Sequence, residues 1–398
     1  MSRSVPHHGR GVYGRFPAAV NRPAALLGVV LAAGGCAGPP AGPPPYPIAI
    51  RYSVESLATN PDHDIEAVVD QDFAYLRRLG FTSVFLRHVR DEHSAILLQA
   101  AADHGLAPAV APRDLVYYVR TGQLPEGCDT LTALVRAAAR NRPAGGDPPV
   151  IWMLGEAVDD RTAGRIARLG RAVRAAAPSV ATAATLADPA VTAAELRRWV
   201  TLVARPDTAA SPPPGGGDML LLECVEREDE TSGRPGTRWL ASYHTALAQG
   251  LTGGLLVDRF RVVPGRWKGL VEGRDAASVA RAAAIRRITA RAARWGPRLR
   301  RLEASPLELL DSADSELRAV LFADARRRFV MLVNPSSTAF VHDRAALPAD
   351  LAGRPSARAV LVPQDTHVLG AELVPARGGR LLIPLDLAPG DAVLWEIF

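Results

Sequence analysis

Two glutamates carry the chemistry this sequence could perform. Glu156 closes the run Val150–Glu156 (VIWMLGE) and Glu223 closes the run Met219–Glu223 (MLLLE). In both, a stretch of apolar side chains that reads as a buried strand stops at a carboxyl group. Two carboxylates across one cleft can share the work of breaking a glycosidic bond: one protonates the leaving oxygen while the other attacks the anomeric carbon. A gap of about 5–5.5 Å between them gives retention of configuration, and one of about 6.5–9.5 Å gives inversion. Glu226 and Glu228 lie close enough to Glu223 to exchange with it if the strand ends a few residues later.

Such a pair works only if the chain holds it at one mouth. From residue 48 onward, short apolar or β-branched runs alternate with amphipathic helical stretches. Strands are expected at 48–52, 83–87, 107–111, 150–155, 180–184, 200–204, 219–224 and 254–258. Helices are expected at 65–79, 93–104, near 130–140, at 161–176, near 193–199, at 239–249 and at 276–295. Eight strands in about 250 residues match a (β/α)8 TIM barrel, whereas an open doubly wound sheet usually has five or six. One irregularity stands out: the Pro/Gly stretch 206–217 leaves no room for a helix between the sixth and seventh strands. After Pro297 only strand-like runs occur (317–323, 329–333, 359–362, 381–383 and 392–397), the pattern of a small C-terminal antiparallel β-sandwich. The expected domains are therefore a barrel over 48–297 and a sandwich over 298–398.

A barrel gathers its functional groups at the C-terminal ends of its strands. That rule adds Arg51 and Tyr52 after the first strand, Arg87 and His88 after the second, Arg113 and Asp114 after the third, and Asp258 after the eighth as substrate-binding candidates. Trp267, Tyr117 and Tyr118 could stack on sugar rings, while Trp152 reads as barrel core. Cys224 also reads as core, since no histidine is placed to activate it.

With these residues in place, the chain resembles the clan A glycoside hydrolases. The resemblance rests on Trp152-Met153-Leu154-Gly155-Glu156 at the fourth strand, Glu223 at the seventh and the trailing sandwich. Residues 234–258 are similar to the family 42 beta-galactosidases and their relatives, in which a helix with small residues leads through a Gly-rich turn into strand eight. The likeness spans most of residues 47–398. It implies a retaining hydrolase with Glu156 as acid/base, Glu223 as nucleophile and Arg87 supporting the nucleophile. Gly155 stands where the clan usually places Asn, and Asp258-Arg259-Phe260 where strand eight often supplies Trp. These departures leave a second reading open, a non-catalytic carbohydrate-binding lipoprotein that kept the barrel.

The first 22 residues contain no acid, and the apolar run 24–33 is followed by Gly34-Gly35-Cys36. Ten apolar residues are too few to span a bilayer but suit a secretory signal. With small residues before Cys36, residues 1–35 resemble a bacterial lipoprotein signal peptide. Cys36 is then the lipidation site, and the Pro/Gly-rich residues 36–47 form a stiff tether. The expectation is an exported protein of the cell envelope, lipid-anchored on the periplasmic or outer-surface side. Cys128 and Cys224 could pair in an oxidising compartment or remain buried thiols.

The formal charge is +6, from 47 basic and 41 acidic residues. Four arginines precede Cys36, so the rest carries 43 minus 41, or +2, which argues against a nucleic-acid partner. Lys268 is the sole lysine, and clusters such as Arg326-Arg327-Arg328 read as solvated surface. No Gly-rich dinucleotide or phosphate loop and no Gly-x-Ser-x-Gly elbow occurs, so no cofactor is expected. Asp62-His63-Asp64 precedes a helix and reads as its N-cap and acidic lead rather than a metal site.

Overall fold

The apolar period switches between two and about 3.6 residues along the chain, and strand and helix track it. In a computed structural model of the chain, the described residues are 46–53, 64–87, 91–140, 150–187, 196, 198, 200–206, 218–223, 226–227, 236–258, 267–268, 276–300, 302–310, 317–348, 351, 358–362, 373–375 and 380–398. Cys36, its preceding apolar run, most of the tether, His88 and Cys224 lie outside them.

The first seven strands are β1 (Ile48–Ser53), β2 (Ser83–Arg87), β3 (Ala107–Val110), β4 (Ile151–Val158), β5 (Thr182–Leu186), β6 (Leu202–Pro206) and β7 (Met219–Glu223). After the two-residue β8 (Glu226–Arg227) comes β9 (Gly254–Asp258), which pairs in parallel with both β7 and β1 and closes an eight-stranded barrel. The chain is thus a (β/α)8 barrel followed by a β domain. β5 and β6 each begin two residues later than the sequence pattern indicates, and β6 pairs with both neighbours despite the Pro/Gly stretch that comes after it. The helices are α1 (Ile65–Arg78), α2 (Asp91–Asp103), α3 (Arg113–Thr121), α4 (Leu131–Arg140), α5 (Asp160–Ala176), α6 (Thr237–Ala248) and α7 (Ala276–Leu299).

Side-chain alternation splits each strand between two cores. Ala49, Phe85, Ile151, Met153, Leu221 and Leu256 fill the lumen, while Ile48, Ile50, Val84, Leu220, Leu255 and Val257 pack outward on the helices. Asp64 caps α1 by accepting from the Ala67 N–H at 3.2 Å, the role expected for the end of the Asp62-His63-Asp64 triplet. Asp159 and Thr162 cap α5 reciprocally.

Two antiparallel sheets form the β domain. One holds β11 (Glu303–Pro306), β12 (Arg318–Ala323), β13 (Arg328–Val333), β15 (Arg358–Leu361), β16 (Leu373–Pro375) and β18 (Ala392–Ile397) in the order β11-β12-β13-β18-β15-β16. The other pairs β14 (Val341–Pro348) with β17 (Arg380–Leu387), whose strict alternation of exposed and buried residues turns Leu381, Ile383, Leu385 and Leu387 onto the larger sheet. The far face of the larger sheet, with Phe322, Phe329, Met331 and Leu394, shares one core with Trp239 of α6 and Leu299 of α7.

A sealed polar cluster pins this junction. Arg291 and His244 are fully buried, and Arg291 Nη1 donates both to Asp391 Oδ1 and to His244 Nε2, the latter at 2.8 Å. A guanidinium can only donate, so Nε2 accepts and Nδ1–H donates to the Gly390 carbonyl at 2.8 Å. Burial first, and then the Arg291 charge, push the His244 pKa down to about 3. Burial alone would raise the Asp391 carboxyl, but Arg291 and Arg287 outweigh it and hold it below its ordinary value. Gly390, at φ +70°, brings the β domain so close to α6 that a Cβ there would lie 2.6 Å from the Thr237 carbonyl oxygen.

Candidate active site at the barrel mouth

Above the apolar lumen layer, the C-terminal strand ends carry charge. Arg51 crosses the lumen from β1. Its Nη1 lies 2.6 Å from Asp258 Oδ1 on β9, and its Nη2 donates to Thr185 Oγ1 on β5 at 2.8 Å. Arg51 and Asp258 are each 9% exposed and Thr185 is fully buried, so this chain of contacts forms the floor of the mouth.

Glu156 reaches the lumen through an irregularity that no alternation rule predicts. Met153 pairs with Ala183, Gly155 with Ala184 and Val158 with Leu186. Five steps of β4 (153 to 158) therefore match three of β5 (183 to 186), and β4 carries two extra residues. Strict alternation from Ile151 and Met153 would turn position 155 inward and Glu156 toward the helices. The bulge reverses this. A Cβ on Gly155 would meet Ile166 Cδ1 of α5 at 2.4 Å, so position 155 faces the helix layer. Glu156 takes the lumen side, where its Oε2 lies 2.7 Å from Arg87 Nε, each side chain 26% exposed. Bulges beside active sites re-aim side chains in this way. The same contact explains Gly155 physically: an Asn there would push its Cβ into Ile166.

The bulge needs support. Ala157 adopts φ +50°, a left-handed conformation costing a non-glycine residue about 1–2 kcal/mol. Its N–H donates to Thr185 Oγ1 at 3.2 Å, the same oxygen that accepts from Arg51. The apolar pattern ends the fifth strand at Ala184 and so overlooks Thr185; the two-residue shift of that strand places it at the mouth.

Position 223 ends β7 in register with Asp258 and keeps the parity of Met219 and Leu221 in the lumen layer. Glu156, Arg87, Arg51 and Asp258 thus meet at the end of the barrel where Glu223 closes its strand. Arg87 shares parity with Phe85, and it makes an ion pair with Glu156 on β4, two strands away.

Other expectations change. Tyr52 is not a pocket residue: it is 2% exposed on the outer face of β1, its hydroxyl donating to Asp72 Oδ2 at 2.8 Å and its ring edge-on to Phe73. Its parity is opposite to that of Arg51, which sends it to α1. Arg113 and Asp114 follow β3 as expected of groups after the third strand and begin α3, with Asp114 exposed in the first turn. Leu115, Tyr118 and Val119, buried at helical spacing, drive that helix and withdraw Tyr118 from any sugar, whereas Tyr117 stays 43% exposed. Trp152 packs on the helix side. Trp267 lies in β10 (Trp267–Lys268), which pairs with β8 to link the segments after β7 and β9. Cys128 is a free thiol. Among the described residues, no cluster of three or more His, Cys, Asp or Glu could hold a metal, and no helix is long and apolar enough to cross a membrane.

No protein-family model matches the chain, and no curated protein matches it. Solved structures are similar in fold. A maltogenic alpha-amylase from Thermotoga neapolitana aligns with a TM-score of 0.55 at 9% identity, covering 88% of this chain and 98% of its own. An Anoxybacillus alpha-amylase gives 0.54 at 11% identity, with 88% and 97% covered. An alpha-amylase from Geobacillus thermoleovorans, solved with acarbose, gives 0.54 at 10%, with 88% and 98% covered. At these identities the likeness establishes the architecture, a (β/α)8 barrel with a trailing β domain, over nearly the full length of those enzymes.

Proposed function

We propose that this chain is an exported, lipid-anchored glycoside hydrolase that cleaves oligosaccharides by a two-carboxylate retaining mechanism. The observation that carries the reading is the β4 bulge, which turns a carboxylate into a solvent-open barrel mouth where regular alternation would have buried it. Glu223, at the end of β7, supplies the second carboxylate by position. Glu156 protonates the departing glycosidic oxygen and later activates water, while Glu223 attacks the anomeric carbon, as in the clan A enzymes that the strand-four and strand-seven motifs resemble. Arg51, Asp258 and Arg87 line the floor, where they can meet sugar hydroxyls. The similar solved structures bear the name alpha-amylase, which favours glycosidic chemistry without choosing the sugar. Export and anchoring rest on residues 1–47 and on Cys36.

A purified 47–398 chain offered a panel of aryl glycosides tests the proposal. Turnover of at least one is expected, and Glu156→Gln and Glu223→Gln should each reduce it by about 10³-fold or more with the thermal midpoint kept. Unchanged turnover in either variant removes that residue from the mechanism. For the anchor, Cys36→Ala should release the full chain from membranes, and continued membrane fractionation would reject lipidation.

A second reading, a carbohydrate-binding lipoprotein without catalysis, is favoured by the engagement of Glu156 and Asp258 in ion pairs with arginine. It calls for oligosaccharide binding by a wild-type chain that turns over no glycoside.

A further inference from the structure

We infer that Thr185 is the positioning residue for Glu156, acting through the bulge rather than through the substrate; the catalytic part of this inference rests on the glycosidase reading above. The extra residues of β4 leave positions 156 and 157 outside the register that pairs Gly155 with Ala184 and Val158 with Leu186. A backbone N–H there needs an acceptor from elsewhere, since an orphaned donor at a protein core is costly. Thr185 supplies it: its Oγ1 accepts from the Ala157 N–H, one residue beyond Glu156, at 3.2 Å.

That oxygen is itself held in place. Thr185 is fully buried, and its Oγ1 also accepts from Arg51 Nη2, while Arg51 is fixed by Asp258. One continuous chain of contacts therefore runs Asp258, Arg51, Thr185, Ala157 across β9, β1, β5 and β4. Glu156 is gripped from two directions. Its backbone is tied through Ala157 to the floor of the mouth, and its carboxylate is tied to Arg87. Cut the first tie and Ala157 has no polar reason to stay at φ +50°; relaxation of the bulge then turns position 156 away from the lumen. Serine keeps the hydroxyl that accepts from Ala157 and loses only the methyl, so it should serve.

Thr185→Val keeps the shape and removes the acceptor. The expected result on an active aryl glycoside is a 10- to 100-fold fall in kcat with KM within about threefold, because the ligand-facing groups are unchanged while the carboxylate is misplaced. Thr185→Ser should return kcat to within a few-fold of wild type. Thr185→Ala removes the same acceptor with less bulk than valine and should show the same loss of kcat; it is the working arm if the valine variant fails to fold. A merely structural threonine would lower the thermal midpoint and leave kcat per folded molecule untouched, and that outcome overturns the inference. Crystal structures of wild type and Thr185→Val decide the point without turnover. The Glu156–Arg87 contact should be present in the first and broken in the second, and its survival in the valine variant also overturns the inference. A wild-type chain that hydrolyses nothing sinks the glycosidase reading alone, and the crystallographic comparison still judges the positioning.

Discussion

Two arginine–carboxylate clusters sit in this molecule, made of the same residue types and put to opposite uses. At the barrel mouth, Arg87 and Glu156 are each 26% exposed, and Glu156 is presented by a strained, bulged strand end. At the junction with the β domain, Arg291 is fully buried between Asp391 and His244, with its guanidinium also 5.2 Å from the Trp295 ring centre. The first pair can exchange its contacts for those of a ligand, since water already reaches it. The second has no such freedom, because any broken contact leaves charge in a low-dielectric interior. Residue type does not tell the two apart; the backbone that presents each pair does.

Exchanging the sites' arginines should separate these roles with the largest effects. Arg291→Met leaves Asp391 with Arg287 as its remaining cation and His244 Nε2 without its donor. We expect a loss of about 3–5 kcal/mol of stability, read from urea midpoints, with kcat per folded molecule unchanged. Arg87→Met should do the reverse: kcat down about 100-fold as Glu156 loses its fixed place, and stability altered by less than about 1 kcal/mol because the pair is partly solvated. A stability loss at Arg87 as large as that at Arg291 would erase the distinction.

The two clusters also differ in how far the sequence reveals them. Barrel strands are legible because apolar runs of the right length recur, and Glu156, Arg87, Arg51 and Asp258 stand at the ends of those runs. The bulge is not legible, for it depends on Ile166 of α5 crowding position 155 and on Thr185 capping Ala157, contacts that no local pattern encodes. Tyr52 fails for a simpler reason: adjacent strand residues face opposite ways, so Arg51 and Tyr52 could not both enter the lumen. His244 and Asp391 lie 47 and 100 residues from Arg291 along the chain. Arg291 and His244 come from helices and Asp391 from a turn of another domain, so nothing in the sequence marks them as partners.

Lowering the pH should strain the sealed cluster first. His244 has a folded pKa of about 3 against an ordinary 6.5, so between those values the unfolded chain binds the extra proton and the folded chain does not. Its contribution is fully present above pH 6.5 and is lost as pH falls toward 3, amounting to about 2 kcal/mol by pH 5. Asp391, held low by Arg291 and Arg287, adds a loss of the same sign at more acid pH. In His244→Gln, urea midpoints measured from pH 7 to pH 5 should lose most of this slope. A slope equal to that of wild type would place the acid sensitivity elsewhere.

The smallest expected effect lies in the bulge itself. Ala157 at φ +50° stores strain that glycine would not feel, while glycine adds chain entropy to the unfolded state. The difference favours Ala157→Gly by about 0.5–1 kcal/mol, a rise in thermal midpoint of roughly 2 °C for a chain of this size. Activity should move the other way. Glycine at 157 reaches more backbone conformations, so Glu156 spends less time on Arg87, and kcat should fall a few-fold. Stability gained and turnover lost in one substitution is the behaviour of strain kept for a site. At the sealed junction no non-glycine residue of the described cluster has positive φ, so no substitution there should show that exchange. A stabilised Ala157→Gly chain with undiminished kcat would mean that the bulge holds its shape without the alanine, and that Arg87 alone places the carboxylate.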